Sequence, residues 1–367
     1  MYYLELSYTI FLTIYVSVGG TADITAYEIL KKGFFKQILH STGNDCGGTS
    51  VDTEFFNILE DIIGTENMKK FRNENTIEYL EICSSFESVK RNITRQQTEM
   101  INIAIPIACL DELDPSENFD KMLQNSKYAD KITVRKLKMR LDPELAKSLF
   151  SKTIEKLVSV ITGILQRETV RSISVILLVG GFSESKLVQY DIVKAFPNKR
   201  IIIPKDPTVA VLKGAVLFGH RPDVVTTRVT TCSYGRKVKP IFNPRIHENR
   251  RMVKIDGEPP RCDGVFELLI KSGTSVPIGK TVCKTYHTVS RYQEDIRVAL
   301  YRSFNDDTKY VDEEDCCLVG ECIVPVLRPS DNRRNVKVQF EFGDTEIYIT
   351  AVDKETHTTV KETFRLE

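Results

Sequence analysis

The charges of this sequence nearly cancel, which removes the simplest routes to a polyanionic partner. Lys and Arg number 51 against 50 Asp and Glu, a formal net charge of +1. This gives no ground for expecting nucleic acid or a membrane surface as the main partner. There is no Cys-x-x-Cys pair and no Cys/His spacing of the zinc-site kind. The nine cysteines (Cys46, Cys83, Cys109, Cys232, Cys262, Cys283, Cys316, Cys317 and Cys322) are scattered and odd in number, and the five histidines are isolated. No metal site is therefore expected, and free thiols in a reducing, cytoplasmic compartment are. Internal repeats and low-complexity linkers are absent as well. The apolar opening, Met1 to Val18, is interrupted by Glu5 and is short for a membrane span. Tyr8 to Val18 has the texture of a signal h-region, but no positively charged segment precedes it. Its second half reads as a buried strand, with a signal peptide as the alternative. Asn92-Ile93-Thr94 is a glycosylation sequon only in a secreted chain.

What is present is ordinary globular material: 367 residues, 41% apolar and 28% charged, enough for two domains and a real core. The most informative stretch is Ile173 to Ser185. Its apolar run has the composition of a strand buried on both faces, stopped by Gly180 and Gly181. A helix from Lys186 to Phe196 follows, with Ser183 as its N-cap. Strand, glycine pair and helix start together present backbone N–H groups to an anion or a nucleotide. The same glycines also serve a simple tight turn.

Two further glycine turns precede this one. Tyr15 to Ile29 reads as a hairpin around Gly19, Gly20 and Thr21. Such a turn can wrap a phosphate, with Asp23 reaching a bound Mg²⁺ through water, or can be an ordinary hairpin turn. Gly43 to Asp52 contains Gly47 and Gly48 and leads into a helix, with Asp45 and Asp52 read as cap and turn formers. A helix over Phe86 to Thr94 puts Glu87, Lys90, Arg91 and Thr94 on one face. That face can bind a ribose and lay a guanidinium against a base, or can be a solvated set of ion pairs. Val134 to Met139 reads as one edge strand, and Asp142-Pro143 as a helix start. Asp206-Pro207-Thr208 reads as the cap of a helix whose small residues allow close packing. From about Arg221 short alternating segments take over and predict a β-rich region ending in a hairpin around Gly343 and Asp344. The pairs Arg250-Arg251 and Arg333-Arg334 read as solvated.

In this order the glycine turns and the Glu/Lys/Arg helix resemble the second lobe of the actin, hexokinase and heat-shock ATPase fold, an α/β architecture. Within it they are similar to the seventy-kilodalton heat-shock protein family. Leu178 to Ser185, Leu212 to Gly219, Phe342 to Ile347 and Thr350 to Asp353 resemble its divergent protein-12 branch. The resemblance implies phosphate binding at Gly19, Gly20, Thr21 and Asp23, and adenosine binding at Glu87, Lys90, Arg91, Thr94, Gly180 and Gly181. It implies an unassigned apolar segment over 1–14, an ATPase lobe over 15–220 and a β-rich region over 221–367, similar to the family's substrate-binding domain.

The departures matter as much. The family's first phosphate turn, Asp-x-Gly-Thr, has no counterpart, so the chain is expected to be N-terminally truncated, without the first lobe. The positions of the Mg²⁺-serving aspartate and of one loop glycine hold Val16 and Val18. An apolar side chain can neither hold Mg²⁺ nor orient water. Beside the last glycine pair, Phe182 and Glu184 replace the family's serine and arginine. The expectation is a chaperone-related protein with no catalytic residues and no competent ATPase, which binds ATP or ADP with Mg²⁺ weakly or has lost it. The alternative is a pseudo-ATPase scaffold that binds no nucleotide. Client proteins and co-chaperones are partners implied by resemblance only. An unrelated hydrolase has little support, because Gly181 to Ser185 lacks the closing glycine of a nucleophile elbow.

Overall fold

Strands buried by apolar runs and helices started at glycine or Asx positions alternate through the first 220 residues, and strands alone fill most of the remainder. The computed structural model describes residues 10–18, 20–106, 118–136, 138–254, 259–343 and 345–365, without the side chains of 10–18 and 41–42. Gly19, Cys109 and Asp344 thus lie outside the described residues. The chain divides into two compact units, residues 1–29 with 41–222 and residues 30–40 with 223–367. It is a mixed α/β protein with several sheets.

In the first unit, β1 (Ile10–Val18) and β2 (Thr21–Ile29) form the expected hairpin, antiparallel with Val18 opposite Thr21. It starts at Ile10, ahead of the expected Tyr15. The Ile173 to Ser185 stretch places its strand at Val175–Val179, parallel to β1 and to a short strand at Arg200–Ile202. Its position between two parallel neighbours explains why nearly all its residues are apolar and buried. Helices α1 (Gly48–Ile63), α2 (Thr65–Glu74) and α3 (Thr76–Lys90) follow the hairpin. Phe55 of α1 and Phe86 of α3 stack with ring centroids 4.1 Å apart, which joins these two helices through their apolar faces. A further helix, Ser151–Leu165, buries Ile154, Leu157, Ile161 and Ile164 at helical spacing.

Local chemistry explains some element ends. Asp142 accepts hydrogen bonds from the N–H groups of Glu144 and Leu145, with Pro143 at the first helical position. Several expectations are corrected. Ser183 is not the cap: its hydroxyl donates to the Val179 carbonyl, and Ser185 accepts from the N–H of Val188 at the start of Lys186–Ala195. The reason is a 3₁₀ turn over Gly181–Glu184 that uses up the residues expected at the helix start. The single edge strand is a hairpin, Ile132–Arg135 and Lys138–Leu141, with the second strand central in a three-stranded sheet that Ile101–Ala104 completes. Asp206 makes no side-chain cap bond, and in the helix Pro207–His220 only Pro207 is buried.

The second unit contains two four-stranded antiparallel sheets. One has the order Val265–Ile270, Ser233–Val238, Asp295–Ser303, Cys316–Pro325. The other runs Lys280–His287, Asn335–Phe342, Glu346–Asp353, Thr359–Arg365. Strict alternation sends Val336, Val338, Phe340, Phe342, Ile347, Ile349 and Ala351 into one apolar cluster with Val298, Leu300 and Val324 of the first sheet. Gly320 lies under the Phe364 ring, where a Cβ would overlap ring carbons.

The pair Arg333-Arg334 is not simply solvated. The Arg334 side chain is 7% exposed and bonds Asp353, whose side chain is fully buried, at 2.8 Å, and Glu355 at 2.8 Å. Arg251 likewise lies 3.8 Å from the Tyr310 ring centroid and pairs with Glu248 and Asp312, whereas Arg250 is exposed. Charge pairs of this kind depend on partners remote in sequence, so the adjacency of two arginines says nothing about their burial.

This packing generates two expected outcomes. Gly320→Val should destabilise the protein by about 1–3 kcal/mol, because the ring of Phe364 already fills the space a side chain would need; a lower urea midpoint at unchanged slope is the readout. Burial would raise the Asp353 carboxyl, but the Arg334 guanidinium and the N–H groups of Glu355 and Thr356 outweigh it and hold the group below its ordinary 3.8. A carboxyl depressed in the folded state adds stability that is complete above its unfolded value and is lost as pH falls through the folded one. Wild type should therefore lose stability on acidification below about pH 4 more steeply than Asp353→Asn, and be the more stable of the two at neutral pH, in urea unfolding followed as a function of pH.

Candidate functional site

Glycine loops and one helix end build a cavity of 240 Å³ in the first unit, lined by Gly48, Thr49, Asp52, Glu87, Lys90, Arg91, Gly181, Phe182 and Ser185. Helix α1 starts at Gly48 with Gly47 as its N-cap, and no side chain caps it. Thr49 and Asp52 lie on its first turns, so they face the same hollow as the loop. Helix α3 contributes Glu87 and Lys90, and ends there, with Arg91 as C-cap.

Lys90 is the centre of this wall. Its side chain is 5% exposed. The ammonium donates to the Gly48 carbonyl at 3.2 Å and to Asp52 at 2.7 Å, and forms a tight ion pair with Glu87. An ammonium has three N–H donors, and all three have an acceptor here. Arg91 donates from Nε to Glu87 at 2.9 Å and from one terminal nitrogen to Glu184 at 3.2 Å. Glu184 also accepts from the Thr208 hydroxyl. Burial pushes the Asp52 carboxyl above its ordinary value, with the Glu87 charge adding to the rise and Lys90 opposing it. Burial acts on Glu87 in the same direction, but the bonds from Lys90 and Arg91 outweigh it and lower that carboxyl. The two carboxylates share one ammonium yet shift oppositely, because Glu87 is the more exposed and has a second cation.

Of the adenosine residues expected from the sequence, Glu87, Lys90, Arg91 and Gly181 line this cavity. Gly180 stands beside it with φ 89° and ψ 170°, a conformation open essentially to glycine alone. Its N–H already donates to the Pro207 carbonyl at 2.9 Å. Thr94 is not on the helix face: α3 has ended, and the Thr94 carbonyl instead accepts from Gln97 in a turn. A helical projection carried past the last helical residue misplaces it. Of the phosphate-turn residues, Gly19 is outside the described residues. The Gly20 carbonyl accepts from Gly47 at 3.2 Å, which sets this turn beside the second glycine loop. Thr21 is exposed at the start of β2 and Asp23 is half-buried. Val16, on β1, pairs with Asp23 and Val179. Phe182 is buried and stacks on Phe150 at 6.3 Å between centroids.

Sequence reasoning misses Asp52 and Ser185 as site residues. Asp52 is legible in principle, four residues after Gly48 and so on the same helix side as the loop. The Glu184–Arg91 bond joins residues 93 apart, and no local signal announces it. Arg95 adds a second clamp, holding both oxygens of Asp191 at 2.8–3.1 Å. Among the described residues no group of three His, Cys, Asp or Glu is placed to hold a metal ion, and no helix is long and apolar enough to cross a membrane. The eight described cysteines are unpaired.

The arrangement predicts strong coupling between Lys90 and Asp52. Lys90→Met should destabilise the protein by about 3–5 kcal/mol, since it leaves the Asp52 carboxylate without its cation and Glu87 with Arg91 alone. Adding Asp52→Asn should restore part of that loss, and a double-mutant cycle by urea unfolding measures the coupling.

No protein-family model matches the chain. Curated proteins do. Heat shock 70 kDa protein 12A of Homo sapiens and that of Mus musculus are each 30% identical to it over 353 residues. Heat shock 70 kDa protein 12B of Homo sapiens is 28% identical over 358 residues. Each match covers 94% of this chain and 52% of the relative, so the chain spans about half the length of the curated relatives it matches. Along 94% of its length the chain is thus similar to heat shock 70 kDa proteins 12A and 12B, the branch that its motifs resemble.

Proposed function

We propose that the chain is a heat-shock-70-like, chaperone-related protein whose first unit holds a nucleoside or nucleotide and lacks competent ATPase activity. The observation that carries this reading is that Glu87, Lys90, Arg91 and Gly181, drawn from two separate stretches of sequence, line one cavity. The residues present fit the nucleoside end of such a ligand. Carboxylate oxygens of Asp52 and Glu87 are acceptors for ribose hydroxyls, and Arg91, with two of its five N–H groups engaged, can lie flat against a base. A phosphate would be directed toward the start of α1 and the turn at Gly20, Thr21 and Asp23, where a helix N-terminus favours an anion. The ligand would supply no chemistry to the protein; it would order the glycine turns around itself. Hydrolysis needs a carboxylate to serve Mg²⁺ and the attacking water, and Val16 stands in that position.

The actin-like second lobe over 15–220, the substrate-binding character of the β-rich region over 221–367, and a cytoplasmic location go with this reading. Unfolded clients and co-chaperones are the corresponding partners. A second reading, a pseudo-ATPase scaffold that binds no nucleotide, is favoured by one observation: both cations of the cavity already have carboxylate partners.

Thermal unfolding with millimolar adenosine, Mg-ADP or Mg-ATP separates the two. A ligand at one hundred times its dissociation constant adds about 2.7 kcal/mol, visible as a raised midpoint. The proposal expects a shift that disappears in Arg91→Ala. No shift with any of the three leaves the scaffold.

A further inference from the structure

A cavity of 620 Å³ opens in the second unit, between strand Ser233–Val238 of one sheet and Lys280–His287 of the other. Its volume falls within the roughly 300–1,000 Å³ of ordinary ligand pockets. Val238, Pro240, Val289 and Ile296 give it an apolar wall, and its charged residues do not cancel. Five Lys and Arg side chains line it against three carboxylates, Glu267, Asp295 and Glu321. The whole chain has a net charge of +1, so an excess of two positive charges around one cavity is local.

The excess survives a count of ion pairs, because two carboxylates each serve two cations. Glu267 pairs with Arg236 and, at 3.3 Å, with Lys284. Asp263, outside the lining, faces Lys237 at 3.4 Å and Lys239 at 3.3 Å. Counting Lys284 and Asp263 with the lining leaves the excess at two. Burial would raise the Asp263 and Glu267 carboxyls, yet the cations outweigh it and hold both below their ordinary values. Burial also pushes the Tyr286 phenol up to about 12, so this lining residue adds no charge at neutral pH. The Arg236 guanidinium lies 4.5 Å from the Tyr286 ring centroid and its side chain is 11% exposed, which makes it part of the wall. Lys237 and Lys239 are 37% and 44% exposed, and their ammonium groups are within reach of a ligand.

Resting on the reading of the β-rich region as a substrate-binding one, we infer that this cavity takes an acidic polypeptide segment. Lys237 and Lys239 meet its carboxylates, and the apolar wall meets its aliphatic side chains. A carboxylate entering here joins two ammonium groups that share one partner, whereas an entering cation meets a surplus of its own sign. Both lysines are partly in water, so they set the preference among segments, while contact with the apolar wall supplies most of the affinity.

Fluorescence anisotropy with the full chain and short labelled peptides that alternate Leu with Glu, Gln or Lys tests the preference. The Leu/Glu peptide is expected to bind about tenfold tighter than Leu/Gln, with Leu/Lys the weakest. The advantage should shrink as salt is raised, since partly exposed charges are screened. Replacing both lysines, Lys237→Gln with Lys239→Gln, should weaken Leu/Glu binding by about fivefold and leave Leu/Gln within about twofold. Lys337→Gln with Lys361→Gln, at exposed positions outside the cavity, removes the same charge and should change neither. Equal binding of Leu/Glu and Leu/Gln would overturn the inference and leave a substrate site in the second unit. An equal loss in both double variants would also overturn it, by assigning the preference to the charge of the whole chain. No binding of any peptide, by a chain folded by circular dichroism, would remove the substrate-binding reading itself.

Discussion

The Lys90 ammonium, buried among three acceptors, is the interaction on which the first unit's helical wall depends. An ammonium withdrawn from water is tolerated only when its charge and all its N–H groups are matched. Here the match comes from the start of α1, through Gly48 and Asp52, and from the helix of Lys90 itself, through Glu87. The stacked rings of Phe55 and Phe86 join the same two helices through apolar contact. The Gly47-Gly48 loop is thereby held in place, and it in turn receives the Gly20 carbonyl. One charge thus ties together two glycine loops and two helices.

The groups that stabilise this wall are also the groups a ligand would meet. Polar side chains whose bonds are already made are rigid and preorganised, but they have less to offer a newcomer. Two clamps hold the segment after α3 against the segment after the buried strand, Arg91 on Glu184 and Arg95 on Asp191. The first is partly exposed and contributes little in water; the second places a carboxylate that is almost wholly buried against a bidentate guanidinium. Gly180 completes the arrangement because its backbone conformation excludes a side chain.

The second unit is built on a different principle. Along Asn335–Phe342 and Glu346–Asp353 the side chains alternate, so burial tracks sequence parity, and the cluster they enter is apolar. A charged pair, Arg334–Asp353, is buried in the same unit, and Asp353 also accepts backbone N–H groups of the turn immediately after it. A buried carboxylate with that many donors organises the turn as well as neutralising the arginine.

By itself the sequence determined the pieces whose physics is local. The hairpin at Gly20, the buried run Val175–Val179, the Asp142 cap and the alternating strands near Gly343 were all legible, because period, turn chemistry and capping act over a few residues. The candidate site was legible as a set of residue types, Glu87, Lys90, Arg91 and the glycine pairs. What they do was not. Only the tertiary structure decided that α3 stops at Lys90 and leaves Thr94 off its face, that Asp52 is a partner of Lys90 as well as a helix residue, that Glu184 reaches Arg91, and that Arg334 is buried. Each of these rests on a charge meeting its partner from far along the chain. Such pairings have no periodicity to read, since they are set by the packing of whole elements and by the need to neutralise every charge that packing takes out of water.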